Sequence, residues 1–75
     1  MTKRKDRLLS ALGWRVRQVR ETKRWTQEVL AERAGLDRSY IAGIEAGLRN
    51  PSIKALAKTA RGFGITLSEL LQNVP

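Results

Sequence analysis

Residues 26–47 read TQEVLAERAGLDRSYIAGIEAG. Two short helices fit this stretch, one on each side of a turn. Thr26 is a good N-cap, and the apolar positions behind it, Leu30, Ala31 and Ala34, recur at helical spacing. Gly35 stops the first helix as a residue in the left-handed region would. Asp37 then offers a cap for a second helix whose inward residues are Ile41 and Ile44, and Gly47 ends it. A break of about three residues between two such helices is the spacing of a helix-turn-helix. Ala31 is small enough for the helices to cross closely, and Leu36 helps to fill the angle between them.

The second helix carries an oddity. Gly43 stands in its middle, where glycine costs about 1 kcal/mol relative to alanine. At about 100° per residue, Arg38, Ser39, Ala42, Gly43 and Ala46 share an arc of roughly 140° that excludes Ile41 and Ile44. One face of this helix is therefore nearly bare of side chains.

Working outward, the same helical spacing covers the rest of the chain, with no strand-like alternation and no internal repeat. Leu8, Leu12, Val16 and Val19 form a stripe on a first helix, capped by Asp6 or Ser10 and ending near Lys23. Ser52 caps a fourth helix, with Ile53, Leu56, Ala57, Ala60 and Phe63 expected inward and Gly64 closing it. Gly62 interrupts that helix and is expected to loosen its last turn. Thr66 and Glu69 make a capping box for a short fifth helix bearing Leu67, Leu70 and Leu71. The expectation is an all-α fold, a compact five-helix bundle. Residues 1–7 read as a basic mobile tail, and residues 8–75 as one domain whose C-terminal helix serves dimerisation.

Composition narrows the function. The chain has 75 residues, 15 basic and 7 acidic, for a net charge of +8, and neither histidine nor cysteine. Such an imbalance favours polyanions, with nucleic acid foremost. Without histidine or cysteine the commonest general base and the usual zinc ligands are missing. Nothing marks an activated nucleophile or a carboxylate cluster, so no enzyme, cofactor or metal is expected. No apolar run approaches the roughly 20 residues needed to span a bilayer. A soluble, cytoplasmic protein with neither a membrane partner nor a small-molecule substrate is expected.

At this point the residues themselves are recognisable. TQEVLAERAGLDRSYIAGIEAGLRNPS, residues 26–52, resembles the XRE, or Cro/C1-type, helix-turn-helix family of phage repressors and small bacterial regulators. GLDRSYIAGIEAG together with RNPS looks most like the restriction–modification controller proteins within it. The resemblance runs from about Leu12 to Leu71 and implies a lambda-repressor-like DNA-binding domain. The function it implies is sequence-specific transcription regulation on double-stranded operator DNA. The bare face of the second motif helix then makes sense as clearance, because a major groove about 12 Å wide admits a slim helix closely.

Roles follow along that surface. Arg38 is the leading base reader, since a guanidinium can bond guanine O6 and N7 together. Ser39 suits a base or a phosphate. Tyr40, at the edge of the face, has three uses open to it: packing inward, a phosphate, or a thymine methyl. Ala42 and Gly43 complete the base-facing set. The resemblance implies a backbone contact for Gln27, at the start of helix two, and phosphate contacts from the loop holding Arg49 and Asn50 and from Lys54. It also implies a partly buried ion pair between Arg20 and Glu45.

Departures from the family pattern are few. Trp25 replaces a usual leucine and reads as core. Trp14, opposite the first stripe, replaces a usual charge and is expected to be exposed; Val29 replaces an acidic residue. Lys3, Arg4, Lys5 and Arg7 form either a solvated tail or an arm along phosphates. One recognition helix reads too few base pairs to select a genomic site, so a two-fold homodimer on an inverted repeat is expected. Ile65, Leu67, Leu70, Leu71 and Val74 are its candidate interface. The competing reading is an antitoxin or protein-partner-binding module with secondary DNA binding, supported by Trp14 and the C-terminal leucines.

Overall fold

The computed structural model of the chain describes residues 6–75. Five helices follow one another: α1 (Arg7–Thr22), α2 (Gln27–Ala34), α3 (Arg38–Glu45), α4 (Ile53–Phe63) and α5 (Leu67–Leu70). No strand occurs among the described residues. Lys3, Arg4 and Lys5 of the expected tail lie outside the described residues. Asp6 and Arg7 belong to α1 instead: the Asp6 carboxylate accepts the Leu9 N–H at 3.0 Å, and Arg7 opens the helix.

Local signals account for most helix ends. Thr26 accepts from the Val29 N–H and Ser52 from the Ala55 N–H, each at 3.1 Å. At α5 both halves of the capping box form, Thr66 accepting the Glu69 N–H and Glu69 accepting the Thr66 N–H. Gly35 closes α2 at φ +70°, a region that costs an L side chain strain. Asp37 departs from expectation. It stands at the N-cap of α3, yet its side chain makes no capping bond. Its backbone carbonyl takes the Tyr40 and Ile41 N–H groups instead, at 3.0 and 3.1 Å.

The core gathers Leu12 and Val16 of α1, Leu30 and Ala31 of α2, Ile41 and Ile44 of α3, Ala60 and Phe63 of α4, and Leu70 of α5. Trp25 is half-buried against it, stacked on Phe63 at 5.9 Å between ring centroids. The Arg33 guanidinium lies 4.6 Å from the Trp25 ring centre, so a cation covers the ring's open side. Arg15 ties α1 to α5, donating to the carbonyls of Leu70 (3.0 Å) and Glu69 (2.8 Å).

Two apolar stripes depart from expectation, that of α1 at one end only and that of α4 by a rotation. Leu8 is 50% exposed and outside the core, because it lies at the very start of α1, beyond the reach of α3. On α4 Ile53 is 65% exposed and Ala57 is exposed too, while Ala55 and Thr59 are buried. Thr59 satisfies its hydroxyl on the Ala55 carbonyl at 2.8 Å, which lets a polar residue face inward. The buried arc of α4 thus centres on Thr59 and Phe63.

Glycines make two of the helix crossings. A Cβ on Gly62 would stand 3.0 Å from the Ala34 nitrogen and 3.1 Å from the Ala34 Cα. Gly62 therefore brings α4 against the end of α2, where a loosened turn had been expected. Gly13 on α1 lies under the carbonyls of Ile44 and Glu45, with no room for a Cβ. It sets how closely α1 approaches the end of α3.

Gly13→Ala should therefore lower stability, although alanine favours helix. Forced repacking costs about 1–3 kcal/mol, and urea unfolding is the measurement. The Glu69 carboxyl is held below its ordinary value by the Thr66 backbone N–H and, next, the Thr66 hydroxyl. With the folded value depressed, the stabilisation is present above the ordinary carboxylate range and lost as pH falls through the lowered value. Proton titration of Glu69 by NMR should show this, and Thr66→Ala, which keeps the backbone N–H, should return it only part of the way toward normal.

Candidate nucleic-acid interface

α3 is anchored by two side chains, Ile41 and Ile44, both fully buried. The helical period then turns Arg38, Ser39 and Ala46 to solvent and leaves Tyr40, Ala42 and Gly43 partly covered. Among the described residues, only side chains at the start of α2 reach that side, at Arg38.

Glu45, on the last turn of α3, faces inward. Its carboxylate accepts from Arg20 Nε at 2.7 Å and Nη2 at 3.0 Å, a two-point pair whose side chains are 12% and 5% exposed. Arg20 Nη1 donates to the Trp25 carbonyl at 2.7 Å. One guanidinium therefore fixes α1, the end of α3 and the turn leading into α2. The hydrogen bond to Glu45 is the main cause holding Arg20 above its ordinary value, with burial opposing it. The raised value means that the arginine's contribution to stability is fully present below its ordinary range and is lost only as pH rises through the raised value.

Gln27 is placed differently from expectation. Its amide is turned into the protein, Nε2 donating to Glu45 Oε1 at 3.1 Å. Its Oε1 accepts from Arg38 Nη1 at 3.3 Å. Arg38 Nε also lies 3.9 Å from the Glu28 carboxylate. Both partners of that pair are half or more exposed, so it adds little stability.

Arg49 stacks on Tyr40, its guanidinium carbon 5.0 Å from the ring centre. The stem of the same arginine covers Gly43: a Cβ there would lie 2.5 Å from Arg49 Cγ. The missing side chain at Gly43 thus first makes room for Arg49, a nearer reason than clearance for a duplex. Tyr40, of its three uses, is packed under this arginine.

Beside α3 lies an open hollow of about 670 Å³ lined by Ser39, Tyr40, Arg49, Ser52, Lys54 and Lys58, among others. Lys54 and Arg49 meet here as the sequence indicates. Lys58 was missed, although it follows Lys54 at the spacing of one helical turn. Asn50 is exposed and borders a different hollow, of about 280 Å³. That second hollow is mainly apolar, with Leu8, Leu9, Pro51, Leu56, Leu71 and Val74 around it.

The expected interface residues divide. Leu70 is fully buried in the core and cannot meet a partner, because α5 is too short to turn all its leucines outward. Ile65, Leu67, Leu71 and Val74 are partly buried against the core. Leu71 and Val74 border the apolar hollow. Leu8 and Pro51 complete it and were not assigned there; a leucine too far forward on α1 to reach the core was the available signal.

Comparison with known proteins agrees with this geometry. The immunity repressor protein of Bacillus phage phi105 is 40% identical over 60 residues, which are 80% of this chain and 42% of that protein. The chain spans about half the length of the curated relatives it matches. Among solved structures, the restriction–modification controller protein C.AhdI from Aeromonas hydrophila is similar with a TM-score of 0.81 and 44% identity, covering 83% of this chain and 94% of that one. The controller protein C.Esp1396I, solved as a tetramer with its natural 35 base-pair operator, gives a TM-score of 0.82 and 36% identity, covering 89% and 88% of the two chains.

Because the ion pair holds three elements with one buried carboxylate, Glu45→Ala should cost about 3–5 kcal/mol. Chemical unfolding should register this loss before any change in base preference at temperatures where the variant is folded. The sequence profile described as helix-turn-helix matches residues 16–70, from within α1 to the end of α5, and the chain belongs to that family, HTH_3.

Proposed function

We propose that this protein is a sequence-specific DNA-binding transcriptional regulator that recognises an inverted-repeat operator as a homodimer. The observation that carries the reading is the uncovered side of α3, where Arg38 and Ser39 stand in solvent beside a basic hollow. The one acidic side chain of that helix, Glu45, is turned away and neutralised. The operator-bound structure of C.Esp1396I supports the reading by similarity. The likeness to C.AhdI as well makes a restriction–modification controller the favoured kind of regulator, with a phage-type repressor next.

In this reading α3 lies in the major groove. Arg38 bonds a guanine edge, Ser39 reaches a base or phosphate, and Ala42 leaves the backbone near the base edges, while Gly43 seats the Arg49 stem. Lys54, Lys58 and Arg49 neutralise phosphates along one strand, with Asn50 at the end of the same loop. A second copy covers the apolar hollow, joining Leu71 and Val74 with Leu8. The protein is a binder and not an enzyme, and it acts in the compartment that holds the DNA, the cytoplasm. Trp14, 63% exposed on α1, favours the protein-partner reading, as does Leu71 beside the apolar hollow.

Selection of bound sequences from random DNA should yield a palindrome with guanines at symmetric positions, half-sites roughly 34 Å apart. Arg38→Ala should relax preference at those guanines by about 1–3 kcal/mol. Lys54→Ala should weaken all sequences alike and reduce the salt slope by about 1. If Arg38→Ala instead weakens every sequence equally, Arg38 is a phosphate contact. Leu8→Glu should give monomers by sedimentation with thermal stability kept, since Leu8 is outside the core.

A further inference from the structure

The Trp25 ring collects positive charge. Lys23 Nζ lies 5.2 Å from its centre and the Arg33 guanidinium carbon 4.6 Å, both within reach of the ring's quadrupole. Phe63 stacks on the same ring at 5.9 Å between centroids and 16° between planes. The two cations are therefore within about 10 Å of each other, a Debye length at 0.1 M salt, and repel.

No carboxylate relieves that repulsion. All seven acidic residues lie within the described residues, and the ion pairs formed there go to Arg17, Arg20 and Arg38. Val29 stands four residues before Arg33, where an acidic side chain would pair with it across one helical turn. Glu32 precedes Arg33 but lies about 100° round α2 from it, and the two form no ion pair. Arg24 adds a third cation without a carboxylate to the same turn, its backbone at φ +59°, a region that favours glycine. Trp25 and Val29 are both positions where the chain leaves its family's pattern, so this grouping does not come with the family.

The grouping fits an anion with two charges. A guanidinium offers N–H groups in a fixed fork and an ammonium offers a point charge, and phosphate takes up both. A terminal phosphate group carries about −1.5 to −2 at neutral pH, enough to offset Lys23 and Arg33 together. A carboxylate, or one link of a nucleic-acid backbone, carries a single charge. Both side chains are exposed, so an anion reaches them from solvent. We infer that Lys23 and Arg33, held over Trp25, form a binding site for a terminal phosphate group, free or carried by a small molecule. The site lies on the turn whose Trp25 carbonyl takes the Arg20 guanidinium, and it stands independently of the DNA-binding reading.

Nuclear magnetic resonance on the full chain tests this, with inorganic phosphate and a nucleoside monophosphate as separate probes. Chloride and acetate at equal ionic strength are the references. The Trp25 indole N–H and Arg33 Nε–H signals should shift with the phosphates and saturate, while the indole of Trp14, 63% exposed on α1, stays in place. Tighter saturation by the nucleotide assigns the site to a phosphomonoester, and by inorganic phosphate to the free ion. Arg33→Gln should weaken binding about tenfold or more, the loss expected of one charged hydrogen-bond partner. Arg7→Gln, which removes the same charge at the far end of α1, should leave it unchanged. Should Arg33→Gln lower stability in urea, Lys23→Gln repeats the test with the Arg33 cover of the ring intact, and the same weakening is expected. Equal shifts in acetate or chloride, or shifts that never saturate, overturn the proposal. So does a Trp25 signal that answers a DNA duplex of unrelated sequence and neither phosphate probe, because the cations then serve a nucleic-acid backbone.

Discussion

A buried carboxylate beside an exposed helix face is a problem that must be solved before anything else. Glu45 lies on α3, and an unpaired negative charge there would both destabilise the fold and repel phosphate. The Arg20 guanidinium answers both demands at once with two short bonds to the carboxylate and a third to the Trp25 carbonyl. Desolvating two ions is costly and is offset only when geometry is good and the remaining donors are satisfied. Here they are. The result is a joint between α1, the turn before α2 and the end of α3.

The rest of the packing serves the same end. A chain this short has little apolar volume, so its helices must come close to exclude water. Gly13 lets α1 touch the backbone of α3, and Gly62 lets α4 touch the end of α2. Small side chains at crossings substitute proximity for bulk, and dispersion contacts between backbones replace those of larger residues. Because the core is filled this way, α3 puts only two side chains fully into it, and the Arg38–Ser39 side stays exposed.

Charge and apolar surface are separated on the molecule. Arg49, Lys54 and Lys58 meet around the hollow beside α3, whereas Leu8, Pro51, Leu56, Leu71 and Val74 meet around another hollow formed by α1, the loop before α4 and the C-terminal segment. The loop between α3 and α4 contributes to both. One short segment thus links the surface suited to phosphate with the surface suited to a second copy.

Periodicity, caps and the glycine at position 35 were enough to read five helices, the motif at residues 26–47 and the outward arc of α3. These are local properties, dictated by 100° steps and by which side chains can satisfy a helix end. The family likeness added the Arg20–Glu45 pair, which lies 25 positions apart along the chain. Tertiary structure decided what local rules cannot reach: that Leu8 and Ile53 stay outside the core, that Thr59 is inside, that Gly43 is covered by Arg49, and that the Gln27 amide turns inward. Each of these depends on which distant backbone or side chain arrives at a given spot. Spacing along one helix says which residues share a face, but only the approach of other elements decides where that face is covered and which way a flexible amide must point.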